Sequence, residues 1–135
     1  MKTAGYSGTP LVDKIGIKPA HRLLFRNAPA NLPGLLGKLP EGAAQVGRGK
    51  IDVGILFSTS ADQLEREFAS LARRLESNGM LWISWPKKAS GMKTDLNENL
   101  VRDLGLAHGL VDVKVCAIDE TWSGLKFVIR MKDRK

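Results

Sequence analysis

The sequence predicts an open, three-layer α/β domain: a mostly parallel sheet covered by helices, with an antiparallel strand at its C-terminal end. Three observations carry this. Apolar runs and amphipathic segments alternate along the chain, the order expected of β–α units packed in layers. Two runs, Ile51-Asp52-Val53-Gly54-Ile55-Leu56-Phe57 and Gly79-Met80-Leu81-Trp82-Ile83-Ser84-Trp85, are nearly continuous in apolar residues, as strands buried on both faces are. The chain then closes with two strand-like segments, Val111 to Ile118 and Leu125 to Lys132, joined by Asp119-Glu120-Thr121-Trp122-Ser123-Gly124. That link is too short for a parallel crossover, so the pair is antiparallel.

The elements follow in order. Thr9-Pro10 opens a short helix over Leu11 to Lys14, because Pro suits a first helical turn, and Gly16 ends it. His21 to Arg26 reads as the first strand. Leu32 to Leu39 reads as a short helix, and Ala43 to Val46 as a weak strand among three glycines, Gly42, Gly47 and Gly49. After the Ile51–Phe57 strand, Ser60 with Gln63 makes a capping-box pattern. The helix it starts is expected to reach about Glu76, with Leu64, Phe68, Leu71 and Leu75 as one apolar stripe and Asn78-Gly79 as a left-handed stop. A further helix is expected from Asp95 to Leu104, with Asp95 and Glu98 as a second capping box and Gly105 as its end. Leu96, Leu100, Val101 and Leu104 form its buried face. In the last segment Leu125, Phe127, Ile129 and Met131 alternate with Lys126, Val128, Arg130 and Lys132, the pattern of a strand with one face toward solvent.

At 135 residues with 43% apolar side chains, the chain is expected to be one domain, with a short N-terminal arm over 1–8 and a basic tail over 131–135. The lone Cys116 excludes an internal disulfide and any multi-cysteine metal site, and its apolar setting reads as that of a buried small hydrophobe. No apolar run reaches the roughly 18 residues of a membrane helix, and Met1 to Tyr6 holds no apolar signal core, so a cytoplasmic location is expected. The net charge of +7, with a pI near 9.8, favours anions: nucleotides, phosphorylated metabolites, nucleic acid, acidic proteins. The positive charges are spread along the sequence, and the one dense run, Arg130-Met131-Lys132-Asp133-Arg134-Lys135, reads as a solvated end.

Two resemblances add to this. The segment from Ile51 to Lys132 resembles the second half of a class I methyltransferase domain, a Rossmann-like fold, with Leu75-Glu76-Ser77-Asn78-Gly79-Met80-Leu81 similar to that family's helix-to-strand turn. The first half departs from the family. The turn after the first strand, Arg26-Asn27-Ala28-Pro29-Ala30-Asn31, has no glycine to let the backbone approach a cofactor, and Gln45-Val46-Gly47-Arg48-Gly49 has no acidic residue for ribose hydroxyls. The expectation from this departure is a degenerate methyltransferase-like domain with no cofactor and no metal, S-adenosylmethionine not being expected. The whole chain also resembles a family of short bacterial proteins known only as a domain of unknown function. That resemblance rests on Tyr6-Ser7-Gly8-Thr9-Pro10-Leu11, Trp85-Pro86-Lys87-Lys88-Ala89-Ser90-Gly91, Thr94-Asp95-Leu96 and Asp119-Glu120-Thr121-Trp122-Ser123-Gly124-Leu125-Lys126-Phe127. It implies the same fold and brings no activity or partner with it.

Ligands of open α/β sheets sit beyond the carboxyl ends of the central strands. Four segments are expected there: Asn27 to Asn31, Ser58 to Ser60, Pro86 to Gly91 and Asp119 to Gly124. They gather the candidate ligand-binding residues Lys87, Lys88, Ser90, Asp95, Glu120, Trp122 and Ser123, with Thr94 and Asp119 beside them. Lysines suit phosphate or carboxylate, a helix start near Asp95 adds N–H groups, and Trp122 can stack on a planar ring or a cation. The competing reading is architectural: Lys87 and Lys88 pair with Asp95, Asp119 or Glu120, Asp95 caps a helix, and Trp122 closes the hairpin. His21 and His108 are far apart in sequence and read as structural. No nucleophile–base signature or P-loop is present, so no mechanism is expected from sequence. The leading expectation is a non-catalytic domain that binds a small anion or a protein partner at this rim. The alternatives are an enzyme with an altered cofactor loop, a methyltransferase among them, and a nucleic-acid binder. The basic face of Lys126, Arg130 and Lys132 lacks the interleaved aromatics that would favour the last of these.

Overall fold

The structure is a computed structural model that describes residues 9–134. The expected arm over 1–8, the Tyr6-Ser7-Gly8 part of the N-terminal motif and Lys135 of the tail lie outside the described residues. Ten principal elements follow one another: α1 (Leu11–Ile15), β1 (Arg22–Arg26), α2 (Leu32–Leu36), β2 (Ala44–Gln45), β3 (Ile51–Phe57), α3 (Ala61–Ala72), β4 (Leu75–Pro86), α4 (Glu98–Ala107), β5 (Leu110–Ala117) and β6 (Trp122–Ile129). The strands make one six-stranded sheet in the order β2-β1-β3-β4-β6-β5. The pairs β1–β2, β1–β3 and β3–β4 are parallel, and β6 runs antiparallel to both β4 and β5. This bears out the mostly parallel sheet with its antiparallel C-terminal strand.

Strand alternation sorts the core onto two faces. Leu56, Leu81, Ile83, Trp85, Leu125 and Phe127 pack under α3 and α4 with Leu64, Phe68, Leu71, Val101 and Leu104. Leu23, Val53, Ile55, Phe57 and Trp82 pack on the other face with Leu11, Ile15, Leu32 and Leu36 of α1 and α2. The short α1 is pinned by polar bonds as well as packing. Buried Trp82 Nε1 donates to the Ile15 carbonyl at 3.0 Å, and Lys14 Nζ donates to the Ala117 carbonyl at 3.0 Å.

Several boundaries differ from the sequence expectation, each for a local reason. Helix α3 stops at Ala72, and Arg73 caps it in a right-handed conformation. Leu75 continues the apolar spacing but already pairs with Ile51 as the first residue of β4. The β3–β4 register jumps from Ile51↔Leu75 to Val53↔Met80, so β4 carries extra residues there. Gly79 lies inside this irregularity rather than in a left-handed stop. A Cβ on it would come within 3.1 Å of the Ile51 and Glu76 carbonyl oxygens, so glycine serves close backbone passage. Helix α4 begins later than expected, with Asn97 as cap: Asn97 Oδ1 accepts from Leu100 N at 2.9 Å. Leu96 before the cap and Val101 in the second turn are both buried in one cluster, a hydrophobic staple. Gly105 does not end α4. It lies within it, where a Cβ would sit 2.0 Å from Phe127 Cε1, and the left-handed terminator is Gly109 at φ 88°. Strand β6 ends at Ile129, leaving Met131 81% exposed in a short 3-10 turn instead of alternating inward.

The amino ends of β1, β3 and β4 are joined by charge. Arg22 donates to Asp52 from its backbone N at 2.8 Å, from Nε at 3.1 Å and from Nη2 at 3.2 Å. Its Nη2 also donates to Glu76 Oε2 at 2.6 Å. Partial burial pushes the Asp52 pKa up, and the Arg22 bonds outweigh it, so the carboxyl is held below its ordinary value. The folded state thus favours charged Asp52 more than the unfolded chain does. Stability from this group is fully present above the unfolded pKa, and is lost as pH falls through the depressed folded value. Asp52→Asn is expected to lower Tm at pH 7, with the gap to the parent closing as pH drops below about 4. A gap of constant size from neutral to strongly acidic pH, measured by thermal melts, would contradict this.

Candidate functional site

The carboxyl ends of β1, β3, β4 and β5 open on one side of the sheet, and the loops that leave them are tied to one another. Asn27, the first residue past β1, adopts φ 60°, a left-handed conformation that Asn tolerates better than most residues. Its Nδ2 donates to the Phe57 carbonyl and to the Glu67 carboxylate, each at 3.2 Å, binding the first turn to β3 and α3. Past β3, the N-terminus of α3 is closed by Ser60, whose Oγ accepts from Gln63 N at 3.1 Å. Gln63 does not return a bond to Ser60. Its Oε1 accepts from the Ser58 hydroxyl at 3.0 Å, and Ser60 N donates to Ser58 Oγ.

The loop after β4 is held to both neighbours. Lys87 N donates to the Thr121 carbonyl at 2.7 Å, joining it to the β5–β6 turn. Thr94 Oγ1 donates to the Thr59 carbonyl at 2.6 Å. Asp95 Oδ1 accepts from Ala61 N at 2.9 Å. Asp95 therefore serves a helix start, but that of α3 and not the helix that follows it. Thr59, Ser60, Lys93, Thr94 and Asp95 line an open recess of about 420 Å³ between these loops.

The remaining candidates fall around this rim in different roles. Ser90 Oγ donates to the Lys87 carbonyl at 2.7 Å and accepts from Met92 N, shaping the 3-10 turn. Asp119 Oδ1 accepts from Thr121 N and Trp122 N, both at 2.8 Å, shaping the β5–β6 turn. Trp122 pairs with Pro86, and its ring meets Phe57 edge-on at 5.2 Å. The Ser123 carbonyl accepts from buried Ser84 Oγ at 2.8 Å. Glu120 is exposed at the tip of that turn. The expected network of Lys87 and Lys88 with Asp95, Asp119 or Glu120 does not form: among the described residues neither lysine has an ion-pair partner.

Sequence reasoning did not single out a second recess. It has a volume of about 310 Å³ and lies on the α2 side of the sheet, lined by Phe25, Leu36, Leu39, Ala43, Ala44 and Gln45, with Pro33 and Gly37. Gln45 ends β2 and its Oε1 accepts from Phe25 N at 3.0 Å, taking the place of the ladder that the two-residue β2 does not extend. The apolar spacing of Leu32, Leu36 and Leu39 was the signal available in sequence. Elsewhere, His108 caps α4 and its Nε2 lies 2.9 Å from Glu65, and burial pushes the Cys116 thiol pKa up. Cys116 is half-buried on β5, more open than its apolar context implied. Among the described residues no three His, Cys, Asp or Glu side chains come together to hold a metal ion. No helix there is long and apolar enough to cross a membrane.

No family model matches the sequence, and no curated protein matches it. Solved structures do match the fold. The chain is similar to the Methanococcus jannaschii fibrillarin pre-rRNA processing protein, with a TM-score of 0.61 at 12% identity over 90% of this chain and 69% of that one. It is similar to magnesium protoporphyrin IX methyltransferase (ChlM) from Synechocystis PCC 6803 with bound SAH, with a TM-score of 0.55 at 13% identity over 88% and 78% of the two chains. A SAM-dependent methyltransferase from Aquifex aeolicus gives 0.53 at 13% identity over 87% and 86%. The fold is the Rossmann-like fold of methyltransferases. The expectation that S-adenosylmethionine does not bind here, drawn from the missing glycines and acidic residue, is overturned by this likeness. The fold extends over the first half of the chain too, and includes structures solved with bound SAM or SAH. In the turn after β1, Asn27 takes the left-handed conformation that glycine more often supplies.

The hydrogen bond to Ala61 N makes Asp95 a structural acceptor. Asp95→Ala is expected to cost roughly 0.5–1 kcal/mol, since it leaves one helix-start N–H without its partner. Asp95→Asn keeps an oxygen acceptor and should retain most of that. Urea melts that place Asp95→Ala at parental stability would assign the carboxylate to something other than the loop.

Proposed function

We propose that this chain is a methyltransferase-fold domain that binds S-adenosylmethionine over the β1 end of its sheet, with an anionic ligand at the neighbouring Lys87 rim. The observation that carries the cofactor half is the conjunction at β1: left-handed Asn27 at its end and the apolar recess beside it. That recess is at the lower bound of small-molecule pockets and has their character, apolar walls with few polar groups. Phe25, Leu36 and Leu39 would flank the adenine. The Gln45 amide would meet the ribose hydroxyls, where methyltransferases use a carboxylate. S-adenosylmethionine, when bound, supplies an electrophilic methyl group on its sulfonium.

The rim supports an anionic ligand or acceptor. Lys87 and Lys88 carry no ion pair among the described residues, and lysines are point cations suited to phosphate or carboxylate. Lys93 lines the adjoining recess. Trp122, half-buried against Phe57, would wall that ligand, with Ser123 beneath and Glu120 exposed to meet an amine or hydroxyl. Ser90 and Asp95 hold the loops that present the lysines. The resemblance to the short bacterial family rests on the stretches 6–11, 85–91, 94–96 and 119–127, and the last three supply Lys87, Lys88, Ser90, Asp95, Glu120, Trp122 and Ser123.

Calorimetry with S-adenosylmethionine and S-adenosylhomocysteine tests the reading. The parent is expected to bind both. Ala44→Trp, at an exposed position lining the recess, should weaken binding at least about tenfold, or 1.4 kcal/mol. Gln45→Ala should weaken it less, and Lys87→Ala should leave it intact. A folded parent that releases no heat with either compound would contradict the proposal.

A further inference from the structure

A second concentration of charge lies at the opposite end of the sheet. Arg48 and Lys50, in the loop before β3, meet Arg73 and Arg74, in the link between α3 and β4, around an open recess of about 410 Å³ floored by Gly47 and Gly49. In sequence these are two separate basic pairs, and only the parallel β3–β4 pairing brings them together. No carboxylate lines the recess, and among the described residues none of the four cations takes part in an ion pair.

Two of the side chains are positioned by the backbone. Arg74 Nε donates to the Gly49 carbonyl at 2.8 Å, and Lys50 Nζ donates to the Arg73 carbonyl at 3.3 Å. The lysine thereby answers the partial negative charge at the end of α3, which would otherwise oppose an anion. Arg74 Nη2 is buried and has no hydrogen-bond partner. A buried charged N–H without an acceptor is costly, and native structures rarely leave one. Arg48, Lys50 and Arg73 are exposed around it.

We propose that this recess binds phosphate groups, with the open, multi-cation geometry fitting the phosphodiester backbone of a nucleic acid. Arginine forks match phosphate oxygens in pairs, and Arg48, Lys50 and Arg73 stand exposed around the recess to meet them. β3 runs seven residues between this recess and the carboxyl rim, so the two sites are separated by roughly 20 Å. A chain anchored at the amino ends would leave the cofactor side of the sheet clear.

The test is fluorescence anisotropy of a labelled single-stranded RNA oligonucleotide across a salt series, together with thermal shifts in inorganic pyrophosphate. The variant is Arg48→Gln/Lys50→Gln/Arg73→Gln. The control, Lys18→Gln/Lys38→Gln/Lys132→Gln, removes the same charge at exposed sites elsewhere. The recess variant is expected to bind RNA at least tenfold more weakly. Its log–log salt slope should flatten by about 2, because three phosphates of a single strand are no longer neutralised. The control should stay near the parent. A parent that ignores RNA but is stabilised by pyrophosphate, with that shift abolished in the recess variant, would support the same site with a small phosphate as its source. The proposal is overturned if the parent binds neither probe, or if the recess variant and the control bind alike. Should the triple variant not fold, Arg48→Gln alone is expected to lower the slope by about 0.7. Calorimetry with S-adenosylmethionine on the recess variant should match the parent, which separates failure here from failure of the cofactor reading.

Discussion

Everything in this fold hangs on β4. It is the strand at which the parallel half of the sheet meets the antiparallel pair, and it hydrogen-bonds to β3 on one side and β6 on the other. Leu81, Trp82, Ile83 and Ser84 are fully buried, with Leu81 and Ile83 under the long helices and Trp82 under α1. A strand covered on both faces cannot carry an unpaired polar group cheaply. Both of its polar side groups in that stretch are satisfied: Trp82 Nε1 by the Ile15 carbonyl and Ser84 Oγ by the Ser123 carbonyl. Truncating a buried Trp typically costs about 3–5 kcal/mol, a large share of the roughly 5–15 kcal/mol that stabilises a domain. Because β4 is so constrained, the loop that leaves it at Pro86 emerges at one defined place, and Lys87 can bond Thr121 across to the last hairpin.

The two ends of the sheet are treated differently. At the amino ends, Arg22 pairs with both Asp52 and Glu76 across three strands, while Arg48, Lys50, Arg73 and Arg74 gather with no acid among them. At the carboxyl ends, carboxylates are mostly engaged with backbone N–H groups, as Asp95 and Asp119 are. That leaves Lys87 and Lys88 without ion partners. Topology gathers six of the 21 Lys and Arg at these two places, where no acid among the described residues pairs with them.

How much of this was legible in the sequence depended on which force decides each feature. The buried strands Ile51–Phe57 and the core of β4 were plain, because burial on both faces writes an unbroken apolar run. The Ser60 cap, which acts over three residues, was legible too, whereas the equally local Asn97 cap was passed over for Asp95. What failed were features set by partners distant in sequence. Leu75 kept the helical spacing but was captured by Ile51 into the sheet. Gly105 looked like a helix stop, yet it is a gap that admits the Phe127 ring from β6. The four loops do leave the carboxyl ends of the sheet, but Asp95 bonds Ala61 N, and Lys87 and Lys88 have no acid partner among the described residues. The recess beside β1 left only the spacing of Leu32, Leu36 and Leu39 as its sign, and the basic recess before β3 was out of reach, since it joins segments whose adjacency exists only in the fold.

The proposed cofactor seat lies at β1, with left-handed Asn27 in the turn that follows the strand. An NMR titration of the isotope-labelled protein with S-adenosylhomocysteine tests it most directly. Amide shifts concentrated at Phe25, Asn27, Leu36 and Gln45, saturating with one equivalent, are the predicted result. No shifts, or shifts confined to the loops around Lys87 and Arg48, would contradict it.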